Sequence, residues 1–271
     1  MVARVAASSA GSLFPRGGNV WVHSIFASAV NLCRAEDPYP VALLRRAEFR
    51  HPRAAVVSAQ PGADFGTWGL SPGDRAVFRD GILKFEKPEA PEVDLRGAEG
   101  FDETLTAAAV GAQTVQDAKD LLAERQRSAG TALVIGATAS VLSRRVDEAL
   151  SLLPRRFDEG ARLLVGLGEG LTPSGDDVLV GWLAALKVRG REVPRLGSLK
   201  TATNAISASF LDAAERGLFA SALLGFVKAL SRRETLAPAL DSLAAIGHSS
   251  GLDAALGVLS GLERLTPQEN P

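Results

Sequence analysis

The segment Pro173–Val188 has almost no polar face, and a helix of that kind exists only when it is covered on all sides. Val178, Leu179, Val180, Trp182, Leu183, Ala184, Ala185 and Leu186 follow one another, with only Gly181 between them. The apolar run is far shorter than the ~20 residues that span a bilayer, so protein rather than lipid must supply the cover. Such a helix brings its N-terminal end into the interior or into a cleft. There its unpaired N–H groups would form a ready anion site.

The segment leading into it is as distinctive as the helix. Gly166-Leu-Gly-Glu-Gly-Leu-Thr-Pro-Ser-Gly-Asp-Asp177 carries Gly166, Gly168, Gly170 and Gly175. Glycine loses the most backbone entropy on folding, so this density points to positive φ or close backbone approach. Thr172 before Pro173 predicts an N-cap with proline at the first helical position. Ser174 with Asp177 three residues on offers an overlapping capping box. No Gly-Lys-Ser/Thr follows and no lysine lies nearby, so this is not a nucleotide phosphate loop. It carries three carboxylates instead, Glu169, Asp176 and Asp177. One reading is that the aspartates only complement the helix dipole, at ~0.3–1 kcal/mol each. The functional reading is that hydroxyls and N–H groups bind a substrate anion or carbonyl, while a carboxylate positions an amine or a hydrated Mg²⁺.

A second loop has the same grammar. In Ile246-Gly-His-Ser-Ser-Gly-Leu-Asp253 a helix ends at Gly247, and Ser249 or Ser250 can cap the next, with Asp253 in its first turn. His248 can serve as acid, base or oxyanion donor near neutral pH. It could equally donate to a carbonyl at a helix end. Acyl-serine chemistry is disfavoured: sequence neighbours rarely form a nucleophile–base pair, and no Gly-x-Ser-x-Gly elbow is present. The candidate catalytic residues are therefore His248, Asp176 and Asp177. The candidate substrate-binding residues are Gly168, Glu169, Gly170, Thr172, Ser174, Gly175, Ser249, Ser250, Asp253 and Ser207. Thr203 and Ser207, at i and i+4 near a helix start, can line the same cleft or simply cap. No metal ligand set is assigned, and Mg²⁺ on Asp176 and Asp177 is kept as an alternative.

Around these loops the chain changes character near residue 100. Ile25, Phe26, Ala29, Val30 and Leu32 are spaced as in a short amphipathic helix over Trp21–Arg34. Pro52, Pro61, Gly62, Gly66, Gly69, Pro72 and Gly73 then break the chain, with strand-like runs at Ala54–Ser58 and Arg75–Phe78. Asp80-Gly81 before Ile82–Phe85 is a two-residue hairpin signal. Helical periodicity then rules: Thr114–Arg127, Val141–Leu153, Pro173–Val188, Ala202–Glu215, Leu218–Leu230, Leu236–Ile246 and Leu252–Leu262. Residues 263–271 read as a frayed polar tail. The expected class is α+β, with a β-rich N-terminal region (1–100, one early helix) and a mostly α-helical C-terminal part (101–271) carrying both loops.

Charge and cysteine content narrow the function. Thirty basic against thirty-one acidic residues give a net charge of −1, which leaves no electrostatic footprint for nucleic acid. Arg45, Arg46, Arg50 and Arg53 are read as a solvated face. Cys33 is the single cysteine, so no intramolecular disulfide or cysteine metal cluster can form. With no apolar h-region near the start and no membrane-length run, a cytoplasmic protein is expected.

Gly168–Asp177, Ile206-Ser207, the Ala214…Gly217 junction and Ile246–Asp253 together resemble the AllH-type family. Ser24-Ile-Phe and Ala29-Val-Asn-Leu32 fit its opening segment. The likeness runs from about residue 20 to 262. That family, formerly only a domain of unknown function, includes a subunit of oxamate carbamoyltransferase. The resemblance implies a carbamoyltransferase subunit of allantoin (purine-nitrogen) catabolism, interconverting oxalurate and phosphate with oxamate and carbamoyl phosphate. It also implies an oligomer with FdrA-like and AllG-like partner subunits, and a small anionic amide or acid as substrate. One departure stands out: the Ser-Thr-Arg carbamoyl-phosphate motif of better-known carbamoyltransferases is absent. The alternatives are a non-catalytic small-anion-binding or scaffold subunit, and a Mg²⁺-dependent hydrolase or phosphotransferase.

Overall fold

A computed structural model describes residues 3–58, 64–134, 140–232 and 235–265. Pro61, Gly62 and the tail from residue 266 onward lie outside these. The chain divides into two compact units, Met1–Glu103 and Thr104–Pro271. No helix among the described residues is long and apolar enough to cross a membrane.

The first unit corrects the expected fold class. It is a closed barrel of eight strands, not a loosely β-rich region with an early helix. The strands are β1 (Arg4–Ala10), β2 (Gly18–Phe26), β3 (Ala29–Arg34), β4 (Asp37–Leu44), β5 (Ala54–Val57), β6 (Arg75–Arg79), β7 (Ile82–Phe85) and β8 (Glu92–Asp94). Their order around the barrel is β1-β5-β4-β3-β2-β6-β7-β8, closed by parallel pairing of β8 with β1. Closure leaves no unpaired edge.

The supposed helix over Trp21–Arg34 is the β2–β3 hairpin. Val20 and Val22 face inward while Trp21 and His23 face outward, as do alternate residues of any half-buried strand. The turn at Ala27-Ser28 breaks this period of two and shifts the apolar residues into helix-like spacing. Ser24 and Asn31 are cross-strand partners joined by a 2.9 Å hydrogen bond from Asn31 Nδ2. The Asp80-Gly81 turn joins β6 to β7 with both residues at positive φ, 52° and 76°, as a type I′ hairpin requires. The arginine cluster is not wholly solvated. Arg53 is buried and pairs with Asp37 at 2.8 Å, while Arg46 and Arg50 lie over the rings of Phe49 and Phe101.

The second unit is helical: α1 (Ala112–Ala129), α2 (Val141–Leu152), α3 (Phe157–Leu164), α4 (Ser174–Val188), α5 (Ala205–Glu215), α6 (Ser221–Ala229), α7 (Leu236–Ala244) and α8 (Ser250–Arg264). The helix expected from Ala202 begins later, because Asn204 caps it by accepting from the Ser207 N–H at 3.0 Å. A 3₁₀ turn over Gly197–Ala202 precedes it. The cover demanded by α4 comes chiefly from α8. The two pack backbone to backbone through Gly181 on α4 and Gly257 on α8, and Gly261 on α8 makes room for Ala185 and the Trp182 ring. A Cβ on Gly181 would sit 2.0 Å from the Ala254 carbonyl oxygen, and one on Gly257 2.0 Å from that of Val178. Val178 thus lies beside Gly257 and Ala185 beside Gly261, so the helices run parallel. Their N-terminal ends, with the two loops that lead into them, therefore come together.

Candidate functional site

The first loop is a lasso closed at its neck. The Gly175 N–H donates to the Leu167 carbonyl at 2.8 Å, and the Gly166 N–H donates to Asp176 Oδ1 at 2.9 Å. Gly166 holds φ 74° and Gly168 φ 116°, a region that L side chains rarely enter. A Cβ on Gly166 would also lie 2.5 Å from the Ala202 carbonyl oxygen. The tip, Gly168-Glu169-Gly170-Leu171, is exposed, and Leu171 is an exposed large apolar residue on it.

Helix α4 starts one residue later than the cap motif suggested. Pro173 is the N-cap and provides no side-chain hydrogen bond, and its carbonyl takes the N–H groups of Asp176 (2.9 Å) and Asp177 (3.2 Å). With Gly175 already bonded to Leu167, three of the first N–H donors of α4 are spent locally. The open anion cradle expected at this helix start is largely closed. Thr172, released from capping, instead joins the two loops through a 2.7 Å hydrogen bond between its hydroxyl and that of Ser250.

The paired aspartates have different tasks. Asp176 is buried, and both its oxygens are engaged: Oδ1 by Gly166, and Oδ2 by the hydroxyls of Thr203 (2.5 Å) and Ser207 (2.7 Å). Thr203 and Ser207, expected to line a cleft, thus anchor the start of α5 to the start of α4. Both Asp176 oxygens are tied into the fold, and the residue acts as a brace. Asp176→Ala should lower the stability of the helical unit by about 2–3 kcal/mol, since it strands two hydroxyls and an N–H. Denaturant melts would show this, and an unchanged midpoint would contradict the bracing role.

Asp177 faces the second loop. Its Oδ2 is buried without a hydrogen-bond partner. Burial drives its pKa well above the carboxylate range, and the charge of Asp253 drives it further, while the hydroxyls of Ser250 and Thr172 pull partly the other way. Asp253, in the first turn of α8, is 1% exposed, and neither of its oxygens has a hydrogen-bond partner. Burial raises its pKa to about 6, and the hydroxyls of Ser174 and Ser249 temper the rise from beyond hydrogen-bond geometry. Among the described residues no cation neutralises this pair, and no three His, Cys, Asp or Glu side chains converge as a metal site.

The structure thus brings Thr172, Ser174, Asp177, Ser249, Ser250 and Asp253 together between two parallel helix starts. His248 lies exposed in the loop beside them, and Glu169 is exposed at the lasso tip. Asp253 emerges as the more buried member of the acid pair. Its signal in the sequence was only its place in a first turn, which is also where a dipole-complementing aspartate sits.

Two family models match the chain. Residues 164–262 match the model described as oxamate carbamoyltransferase subunit AllH, and residues 2–100 match the AllH family N-terminal domain. The first match takes in both loops and the helices α4 to α8; the second takes in the barrel. No solved structure matches the chain.

Proposed function

This chain belongs to the AllH family, and from that premise we propose that its Asp177–Asp253 pair manages the proton in carbamoyl transfer between oxalurate and phosphate. In that reaction a phosphate oxygen attacks the terminal carbamoyl carbon of oxalurate. The bond from that carbon to the inner nitrogen breaks, which yields carbamoyl phosphate and oxamate. The departing nitrogen must gain one proton to become the oxamate amide, and it returns that proton in the reverse direction. A carboxyl whose pKa its surroundings raise is suited to give it.

The observation that carries this reading is that the buried Oδ2 of Asp177 and both oxygens of Asp253 lack hydrogen-bond partners, and that burial and the charge of Asp253 push the Asp177 pKa up, which favours keeping its proton. Two like charges in one low-dielectric site cannot both ionise cheaply. His248, exposed at the rim, is assigned to the carbonyl oxygen as donor. Thr172 and Ser250 hold the two helix starts in register, and Asp176 positions the loop from behind. The phosphate and carboxylate ends of the substrates need cationic or N–H donors. The local engagement of the α4 N–H groups leaves much of that to the partner subunits, for which FdrA-like and AllG-like chains are proposed.

The test is phosphate-dependent cleavage of oxalurate by the chain coexpressed with those partners. Asp177→Asn, nearly isosteric but with no acidic proton, should lower kcat by at least about 100-fold, the usual worth of a general acid. A rate within about threefold of wild type would remove Asp177 from the chemistry.

A further inference from the structure

Asp253 has an unusual combination of features for a group with only a structural task. It is almost wholly enclosed, both oxygens lack partners, and among the described residues no cation stands beside it. A buried acceptor left unmade costs about 1–3 kcal/mol, and more for a charged one, so such groups are rare in a finished core. Asp176, the residue before Asp177 and as deeply buried as Asp253, shows the contrast, since both its oxygens accept hydrogen bonds, from three donors of its own fold. The residues around Asp253 (Thr172, Ser174, Asp177, Ser249 and Ser250) are all half-buried, so solvent reaches its immediate neighbours.

We propose that Asp253 is the specificity-determining group of this site, selecting a small acid whose reacting end carries an N–H₂ group. The two amide hydrogens would be taken by acceptors that the fold leaves free. An amide end is favoured over its carboxylate isostere for two reasons. A carboxylate brings acceptors to acceptors, and it adds a negative charge to an enclosed acid pair. Sites built around a hydrogen bond discriminate sharply against ligands that lack it, because their own buried polar groups are then stranded. The choice of probe rests on the carbamoyl-transfer reading; the selectivity itself does not.

Oxamate and oxalate differ only in that end and are the probes. Calorimetric titration of the full chain in its coexpressed complex should show oxamate binding at least about tenfold more tightly than oxalate. In Asp253→Asn, which replaces one acceptor by a donor, the two affinities should come within about threefold. Circular dichroism and a thermal melt of the variant establish that it is folded. Equal binding by the wild type, retained selectivity in the variant, or no heat with either acid overturns the proposal. So does oxamate binding that requires added Mg²⁺ and vanishes with EDTA, because the orphan oxygens then belong to a cation. Selectivity without phosphate-dependent turnover would sink the carbamoyl-transfer reading and leave this one standing. Turnover with no selectivity would do the reverse.

Discussion

Gly257→Val should prevent the helical unit from folding, while Gly225→Ala should leave it as stable as before or slightly more so. Both glycines lie inside helices, where glycine is disfavoured by about 0.5–1 kcal/mol relative to alanine. They differ in their surroundings. A Cβ on Gly225 meets nothing within 4 Å, whereas one on Gly257 falls 2.0 Å from the Val178 carbonyl oxygen and 2.9 Å from the Trp182 nitrogen. The obstructing atoms are backbone of a buried helix, so no side chain can swing aside. Overpacking that flexible neighbours absorb costs about 1–3 kcal/mol. Here α4 and α8 must separate along their length, exposing Trp182, Leu183 and Leu259, so the expected loss exceeds about 4 kcal/mol. Insoluble or proteolysed protein, or a cooperative melt lost altogether, is the expected outcome for Gly257→Val. A soluble variant with the wild-type melting temperature would show that the close contact of α4 with α8 is not real.

That contact also bears on what the residues disclose in advance. The apolar run Val178–Leu186 announced a buried helix, because a helix without a polar face has no other home. What covers it was not announced. Gly257 and Gly261, four residues apart in an otherwise helical pattern, were the available hint of close approach, but helix glycines also mark ends and kinks. In the barrel, Asp80-Gly81 was legible because positive φ at both turn positions restricts the residues that fit. The β2–β3 hairpin was not, since the turn at Ala27-Ser28 carries no glycine or proline and its flanking apolar residues mimic a helical stripe. Barrel closure depends on the parallel pairings β4–β5 and β1–β8, between segments with no local signal of each other. Within the site, the loops could be located from glycine spacing and caps. The division of labour between Asp176 and Asp177 could not, because it depends on Thr203, Ser207 and Asp253, brought near only by tertiary packing.

Asp253→Asn should stabilise the protein near neutral pH while impairing its site. The sign follows from the direction of the shift. Asp253 has its pKa raised from 3.8 to about 6 in the folded chain, so the fold binds this proton more tightly than the unfolded chain does. Below about pH 4 the group is protonated in both states and contributes nothing to the difference. Between about pH 4 and 6 the unfolded state ionises while the folded state resists, and stability falls as pH rises. Above about pH 6 the full penalty is present, and two pKa units correspond to about 3 kcal/mol. The nearby helix N-terminus offsets some of this, by at most about 1 kcal/mol. Asparagine removes the charge and keeps the shape. Its amide can donate toward the hydroxyls of Ser174 and Ser249, and it also relieves Asp177 of a charged neighbour. Urea melts across this range should therefore show the variant more stable than wild type by up to about 3 kcal/mol near pH 8, with the gap closing toward pH 4. A variant less stable than wild type near pH 8 would mean that Asp253 is satisfied within the fold, and that its place between the two helix starts is structural. A more stable variant that no longer tells oxamate from oxalate would mark Asp253 as a group kept for binding against the preference of the fold.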